Sequence, residues 1–343
     1  MKNLYGCLSA AVLFCILIAA CQLSCTKAYA KIAADPVTEK TNTSMEKLTP
    51  EFSRKISSTT PAEPASGDLT LVRGATRLST RRIPQGYTFD GTFYYYLSNL
   101  SSSGKHSADL RLTRVRYLAD GGYEEDYMTL RGFGHGTNID CAIAGNKTWL
   151  WTGSDAYKGT GAARSISCFT YRKGAVMRNH AKIRYRIPFA GKKGFATNCY
   201  PAVSPDGRCL AVRYTRGKYQ GFQLYRLKNG TFIDVKHPVK SFRLAKTKGD
   251  FQGFDICGTC LYTIEGTACR AERKELHKAW YPIKIKTYDY KSGRKKTVKI
   301  RGAAGLTHRE PEGIQVTGDG TVYIGLASHY KDKYTCMNIY KYK

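Results

Sequence analysis

A β-hairpin is predicted by the stretch Gln252-Gly253-Phe254-Asp255-Ile256-Cys257, which runs through the turn Gly258-Thr259 into the apolar stretch Cys260-Leu261-Tyr262-Thr263-Ile264. The chain contains five versions of this phrase, and they begin at Gln85, His135, Tyr200, Gln252 and Glu312. The intervals between these starts are 50, 65, 52 and 60 residues. A repeat near that length is typical of a ring or solenoid of small sheets, because one thin sheet cannot bury its own faces.

A weaker hairpin phrase follows each copy, for example Phe222-Gln223-Leu224-Tyr225-Arg226 before Asn229-Gly230. Two hairpins per repeat give four strands, which is the composition of one propeller blade. Stretches such as Thr321 to Ile324 are apolar almost throughout, as expected where stacked blades bury both faces of a strand. The sequence therefore predicts an all-β fold, a five-bladed β-propeller.

The fifth repeat, from Glu312 to Lys343, has room for only three strands. The stretch Leu69-Thr70-Leu71-Val72-Arg73 precedes the first phrase and is the candidate for the missing outer strand. An N-terminal strand in that place would close the ring and leave no exposed edge to pair with other chains. We expect this closure, and the alternative is an open array of five sheets with a free N-terminus.

The N-terminal region indicates export. Residues 1–30 are typical of a signal peptide, with an apolar run from Leu8 to Ala20. Two alternative processing sites are present. The stretch Ala28-Tyr29-Ala30 fits cleavage after Ala30. The stretch Ile18-Ala19-Ala20-Cys21 is similar to a bacterial lipobox, and processing there would leave a lipidated Cys21. Residues 31–68 predict a disordered linker, since they are rich in Thr, Ser, Pro, Lys and Glu. Residues 69–343 form the predicted propeller domain of a secreted or cell-surface protein, which touches a membrane only if Cys21 carries a lipid.

The charge balance is strongly basic, with 55 Lys and Arg against 26 Asp and Glu and a net charge of +29. In an exported protein this excess favours an anionic polymer, lipid or glycan, such as a teichoic acid, and argues against nucleic acid as the partner. The densest basic run extends from Lys291 to Arg301. Within it, Lys295 and Lys296 are the first candidates for a contact with polyphosphate.

Eight of the twelve cysteines lie beyond the predicted signal peptide. An even number in an exported chain predicts disulfides, although the spacing assigns no connectivity. Cys257 and Cys260 form a CxxC pair, but they flank a turn inside a hairpin and no second pair of ligands accompanies them. A structural role is therefore favoured over a redox or zinc site.

Four phrases resemble those of a known family: Phe251-Gln252-Gly253-Phe254-Asp255, Glu310-Pro311-Glu312-Gly313-Ile314, Phe133-Gly134-His135-Gly136 and Ser204-Pro205-Asp206-Gly207. The chain from Gln85 to Lys343 resembles the helveticin J and teichoic acid biosynthesis protein C-like β-propellers, a domain also found in some phage receptor-binding proteins. The resemblance implies a five-bladed propeller associated with Gram-positive cell envelopes. Members act as bacteriocin-like factors, teichoic-acid-associated proteins or phage adhesins.

The chemistry-bearing residues indicate a binding site and no particular enzyme class. The G-x-S-x-G, H-E-x-x-H, Walker and EF-hand motifs are all missing from the sequence, and no cofactor is indicated. The first residues of the five phrases should lie at equivalent positions around the central channel: Gln85, His135, Tyr200, Gln252 and Glu312. This polar ring could bind a sugar, a phosphate or a cation, or it could simply line a channel filled with ordered water. Asp255 could join Asp140 and Glu312 in an oxygen-rich cation site.

The sequence thus favours an exported, non-enzymatic propeller that binds an anionic envelope glycopolymer. One form of this hypothesis gives the protein bacteriocin-like activity. The alternative is an envelope enzyme that processes a glycan or a phosphodiester at the channel mouth. That alternative requires Glu312, His135 and Asp255 to converge.

Overall fold

The computed structural model describes residues 68–100, 108–157, 159–189, 193–216, 219–244, 250–268, 283–303, 305–330 and 334–343. These residues form β-strands and connecting turns, and none of them lies in a helix that could span a membrane. The predicted signal peptide, the candidate lipid site Cys21 and the linker up to residue 67 fall outside the described residues.

Five separate antiparallel sheets make up the fold, as predicted. Their innermost strands contact one another in a ring and are β2 (Pro84–Phe89), β6 (Ile139–Ala144), β11 (Thr197–Val203), β15 (Phe251–Cys257) and β19 (Glu310–Val316). The second strands are β3 (Tyr94–Asn99), β7 (Lys147–Ala156), β12 (Cys209–Arg216), β16 (Cys260–Glu265) and β20 (Val322–Tyr330). The third strands are β4 (Leu110–Tyr117), β8 (Ala163–Phe169), β13 (Tyr219–Arg226), β17 (Ile283–Asp289) and β21 (Tyr334–Tyr342). The outermost strands are β5 (Tyr123–Arg131), β10 (Ile183–Tyr185), β14 (Lys240–Leu244), β18 (Lys295–Ile300) and β1 (Leu69–Thr76).

The N-terminal strand closes the ring. β1 pairs antiparallel with β21, so the fifth blade has the order β1-β21-β20-β19. The register runs from Leu69 opposite Tyr342 to Thr76 opposite Met337. The backbone N–H of Ala75 donates a hydrogen bond to Asn338 Oδ1 at 2.8 Å, which adds a side-chain contact to the ladder. The predicted closure is confirmed, and β1 covers the edge that β21 would otherwise expose.

One strand exchange was not predicted. After β8 the chain forms β9 (Val176–Arg178), which pairs parallel with β5 of the first blade, before β10 returns to the second blade. Backbone hydrogen bonds from Gly174 to Tyr127 and from Thr129 to Ala175 begin this pairing. The first blade therefore has five strands, and its outer edge is covered by the chain of its neighbour.

Each interface between blades is a separate apolar core. Trp151 of the second blade is fully buried with Tyr225 of the third, and its indole N–H donates to the carbonyl of Gly230 at 2.9 Å. Burying one large apolar side chain stabilises a fold by about 1.5–3 kcal/mol, so these cores are the main stabilising contacts between adjacent sheets.

The described cysteines are free thiols: Cys141, Cys168, Cys199, Cys209, Cys257, Cys260 and Cys336. Cys168 and Cys199 share one apolar core, where they pack as small hydrophobic side chains. Cys257 and Cys260 lie opposite each other across their turn without a bond between them. The predicted disulfides are thus not found among the described residues, and the eighth cysteine, Cys269, lies outside that part of the chain.

Candidate functional site

The residues of the predicted polar ring lie at or near the starts of the inner strands, at the end of the channel that we call the strand-start mouth. Tyr200 is buried in the apolar core between the third and fourth blades. Gln85 and Gln252 are the second residues of β2 and β15, Glu312 is the third residue of β19, and Tyr200 is the fourth residue of β11. His135 lies four residues ahead of β6. The hydrogen-bonding register shifts near the ring position in β2, β11, β15 and β19. Four blades therefore share a local irregularity at this mouth.

Glycines next to the ring residues allow the inner strands to approach closely. A Cβ added at Gly86 would lie 3.0 Å from the carbonyl oxygen of Gly136 in the next blade. Gly253 has a φ of +148°, and a Cβ there would lie 3.2 Å from the Cα of Gly313. A side chain at these positions would separate the strands, which explains why four of the five ring residues are followed by glycine, whereas Tyr200 is followed by Pro201.

Glu310 connects three members of the ring. Gln252 Nε2 donates a hydrogen bond to Glu310 Oε1 at 3.2 Å, and His308 Nε2 lies 2.9 Å from Glu310 Oε2. The negative charge of Glu310 also acts on Glu312 and on His135. Glu310 was not among the predicted site residues.

Glu312 is a buried carboxyl group. Its side chain is 2% exposed. Burial, reinforced by the charge of Glu310, raises the pKa of Glu312 well above its ordinary value. Burial also lowers the pKa of His135, which favours a neutral imidazole. The mouth therefore holds one carboxyl with a raised pKa, Glu312, and one hydrogen-bonded carboxyl, Glu310, a combination suited to donating and accepting a proton.

A buried arginine extends this mouth towards the third and fourth blades. The guanidinium of Arg213 lies 3.6 Å from the ring centroid of Phe251 and 5.8 Å from that of Tyr200, and it donates to Gln220 Oε1 at 3.0 and 3.2 Å. Burial lowers the pKa of Arg213 to about 10, so the side chain remains cationic at pH 7. The Tyr200 hydroxyl donates to Asn198 Oδ1 at 2.6 Å.

Asp255 lies deeper in the channel and pairs with Asp140. Val316 N and Ile256 N donate to Asp255 at 2.5 and 2.7 Å, while Val203 N and Cys141 N donate to Asp140 at 2.7 and 2.8 Å. Each carboxyl thus binds its own strand and the inner strand of the next blade. Burial is the first cause that raises the pKa of both groups, and the charge of Asp140 raises the pKa of Asp255 further.

This arrangement gives Asp255 a role in joining blades. No group of three His, Cys, Asp or Glu side chains within the described ranges is arranged to hold a metal ion, so Asp140, Asp255 and Glu312 do not form the cation site that the sequence suggested. Asn138 makes a similar connection, since its Nδ2 donates to Pro201 O at 2.7 Å and its Oδ1 accepts from Phe254 N at 3.1 Å.

Lys295 and Lys296 lie away from the ring, on the outermost strand of the fourth blade. Together with Lys286 and Gln220 they line a groove of about 180 Å³ between the third and fourth blades, which we call the basic groove. Lys286 pairs with Glu265 at 2.8 Å. Lys295 and Lys296 are exposed, and neither has a carboxylate partner in the part of the chain that the structure describes.

Comparison with known proteins supports the predicted resemblance. No protein-family model matches the chain. A curated Bacillus subtilis (strain 168) protein named "Putative major teichoic acid biosynthesis protein C" is 23% identical over 281 residues, which cover 78% of this chain and 60% of that protein. The chain resembles the teichoic acid biosynthesis protein C-like propellers.

Solved structures support the fold. The tail fiber of Staphylococcus aureus phage P68 aligns with a TM-score of 0.55 and 16% identity over 80% of this chain and 52% of the fiber chain. A thermostable family-43 glycoside hydrolase aligns with a TM-score of only 0.40 at 12% identity over 78% of this chain and 90% of its own, which is too distant to inform the chemistry. The chain spans little more than half the length of the fiber chain and three fifths of the curated relative.

Three residues of the site were missed by the sequence analysis: Glu310, Arg213 and Asn138. Glu310 stands in the same Glu-Pro-Glu phrase as Glu312, so the alternation of side chains along a strand could have placed both at one mouth. Arg213 interrupts the apolar stretch Leu210-Ala211-Val212, and a charge inside a buried strand is a signal for a paired or stacked side chain. Asn138 carries no comparable signal, because its contacts connect blades that are distant in sequence.

Proposed function

We propose that the chain is an exported β-propeller that binds an anionic glycopolymer of the cell envelope, of the teichoic acid type, without turning it over. It works at the cell surface, either released after Ala30 or held by a lipid on Cys21. A released form that binds the envelope of a competing cell would act as a bacteriocin-like factor.

The basic groove is the observation that carries this proposal. Lys295 and Lys296 present ammonium groups beside Lys286, along a surface depression between two blades, and no described carboxylate pairs with either of them. Ammonium groups bind phosphate oxygens through charge-assisted hydrogen bonds, and a chain of net charge +29 attracts a polyanion from a distance. Phosphodiesters of an extended polymer would fit such a groove better than the enclosed channel.

The comparisons support the choice of polymer class. The curated relative is named for teichoic acid biosynthesis, and the structural neighbour is a phage tail fiber. We extend to this chain only the association with envelope polymers.

The test is binding to a soluble wall teichoic acid across a salt series, with the variant Lys295→Glu/Lys296→Glu. The matched control is Lys173→Glu/Lys236→Glu, which changes the net charge equally at exposed lysines outside the groove. We expect the groove variant to bind at least about tenfold more weakly, because several close charge pairs are lost, and the control to bind within about threefold of the parent. Equal effects of the two variants, or binding that is independent of salt, would contradict the proposal.

A second candidate function is an envelope glycan or phosphodiester hydrolase acting at the strand-start mouth. It is favoured by the pair formed by Glu312, whose pKa is raised by burial, and the hydrogen-bonded Glu310. Glu312→Gln replaces the carboxyl by an amide of the same shape, so the melting temperature should change little. Loss of product formation in this variant, with polymer binding retained, would establish the enzyme. If neither the parent nor the variant forms product, hydrolase activity is excluded for the polymers tested.

A further inference from the structure

A second cavity lies at the opposite end of the channel and belongs to neither the polar ring nor the basic groove. It has a volume of about 550 Å³ and is lined by the ends of the inner strands and the turns that follow them, including Phe89 to Gly91, Cys141 to Ile143 and Val203 to Gly207. We call it the strand-end cavity. Its size lies within the range of about 300–1,000 Å³ that is typical of small-molecule sites.

The walls of the strand-end cavity are aromatic. Four aromatic side chains from the first and fifth blades line it: Tyr87, Phe89, Tyr94 and Tyr323. The rings of Phe89 and Tyr94 are stacked with their centroids 4.4 Å apart. Aromatic faces carry a partial negative charge and attract cations, most strongly where water is excluded.

The charged groups of the cavity are mainly acidic, in contrast to the rest of this basic chain. Four carboxyl groups line it, those of Asp90, Asp140, Asp206 and Asp255, against the single guanidinium of Arg73. The Arg73 guanidinium lies 5.0 Å from the ring centroid of Tyr117 and donates to the carbonyl of Val72. A hydrogen bond from Ser204 lowers the pKa of Asp206, which keeps that carboxylate ionised at neutral pH. An anionic ligand would be repelled by this set, whereas a cation would be attracted.

An unused hydrogen-bonding group marks the inner part of the cavity. Tyr87 is only 3% exposed, and its hydroxyl is buried without a hydrogen-bond partner among the described residues. Tyr87 lines the cavity together with Asp140 and Asp255. Native proteins rarely leave a buried hydroxyl without a hydrogen bond, because each such group costs roughly 1–3 kcal/mol of stability. A ligand that forms a hydrogen bond with the Tyr87 hydroxyl would therefore gain affinity from that bond.

We infer that the strand-end cavity binds a small organic cation, an ammonium group on a hydroxylated body. The ammonium group would lie against Phe89 and Tyr94 within reach of Asp206, and a hydroxyl of the ligand would bond Tyr87. This site is independent of the proposed binding of an anionic polymer, because the two ligands carry opposite charges.

The experiment is calorimetric titration of the full chain with choline, compared with 3,3-dimethyl-1-butanol, a neutral compound of the same shape. We expect choline to bind at least about tenfold more tightly, since only the cation gains from the carboxylates and the ring faces. Asp206→Asn should weaken choline binding several-fold and leave the neutral compound unaffected. Asp319→Asn is the matched control, because Asp319 supports the corresponding turn of the fifth blade but does not line the cavity.

Tyr87→Phe separates the role of the hydroxyl from that of the ring. The variant should fold normally, because it removes an unpartnered group and keeps the packed ring, and it should weaken choline without changing the affinity for tetramethylammonium, which has no hydroxyl. The inference is overturned if choline shows no binding at tens of millimolar, if the neutral compound binds equally well, or if Asp319→Asn weakens choline as much as Asp206→Asn does.

Discussion

Closure of the ring by the N-terminal strand can be tested by one pair of substitutions in β1. Leu69 is fully buried among residues of the fourth and fifth blades, including Ile300 and Tyr340, whereas its neighbour Thr70 is exposed. Leu69→Ala removes buried atoms and leaves a cavity, while Thr70→Ala changes the same strand without affecting the core. The two variants differ in burial and share the same backbone pairing with β21.

The expected size of the effect follows from this burial. Leu→Ala in a packed core costs about 2–5 kcal/mol, and a surface change costs within about 0.5 kcal/mol. For a domain of this size one kcal/mol lowers the melting temperature by roughly 2 °C, so Leu69→Ala should melt roughly 4–10 °C below Thr70→Ala. Differential scanning calorimetry of both variants, with size-exclusion chromatography to detect association, measures the difference.

A truncation that removes residues 68–76 extends the test. It exposes the edge of β21, and we expect the protein to aggregate or to melt far below the parent. Removal of residues 31–60 leaves β1 in place and should have little effect. Closure of the ring by β1 is refuted if Leu69→Ala and Thr70→Ala have the same melting temperature, or if the two truncated proteins have the same melting temperature and the same tendency to aggregate.

Three further results are expected. Gly313→Ala should lower the free energy of unfolding in urea by at least about 2 kcal/mol, because φ is +125° and a Cβ would lie 3.0 Å from the ring of Tyr87. Gly258→Ala is the control, since Gly258 has a φ of +56° and open space around it, and it should cost only about 1–2 kcal/mol. Equal costs for the two variants would contradict the close approach of the inner strands at the axis. The raised pKa values of Asp140 and Asp255 mean that their contribution to stability is complete below the unfolded value near 4 and is lost as the pH rises through the folded values, about 6 for Asp140. The urea midpoint should therefore fall over that interval by more in the parent than in Asp255→Asn, and parallel profiles would contradict the raised pKa values. Arg213→Ala should lower the free energy of unfolding by about 2–3 kcal/mol, because the stacking on Phe251 and the hydrogen bonds to Gln220 Oε1 are lost. The exposed Lys240→Ala should stay within about 0.5 kcal/mol, and similar melting of the two variants would show that the arginine contributes little.

The fold was accessible from the sequence because propeller blades repeat. The hairpin phrases that begin at Gln85, Tyr200, Gln252 and Glu312 each mark an inner strand, and the short fifth repeat required a partner strand that Leu69 to Thr76 supplies. The pairing of β9 with the first blade could not be predicted from the sequence, because a strand of three residues at a sheet edge leaves no periodic pattern. Disulfides were expected from a count of cysteines, and a count contains no information on whether two thiols meet.

The site was only partly accessible, because it depends on contacts between blades. The repeat placed Gln252 and Glu312 at one mouth, but it could not show that Gln252 donates a hydrogen bond to Glu310. Asp255 resembled a ligand in sequence, and its burial against backbone N–H groups of two blades became visible only in the assembled ring. Lys295 and Lys296 were identified from charge density alone, whereas the groove that contains them requires the third blade as its second wall.

The central claim is tested most directly by sedimentation of the purified protein with cell walls that retain their anionic polymers and with the same walls after those polymers have been removed. The account predicts that the protein co-sediments with intact walls, that removal of the polymers abolishes this binding, and that Lys295→Glu/Lys296→Glu reproduces the loss on intact walls. Equal binding to both wall preparations would contradict it, and would indicate that the protein recognises a neutral component of the wall.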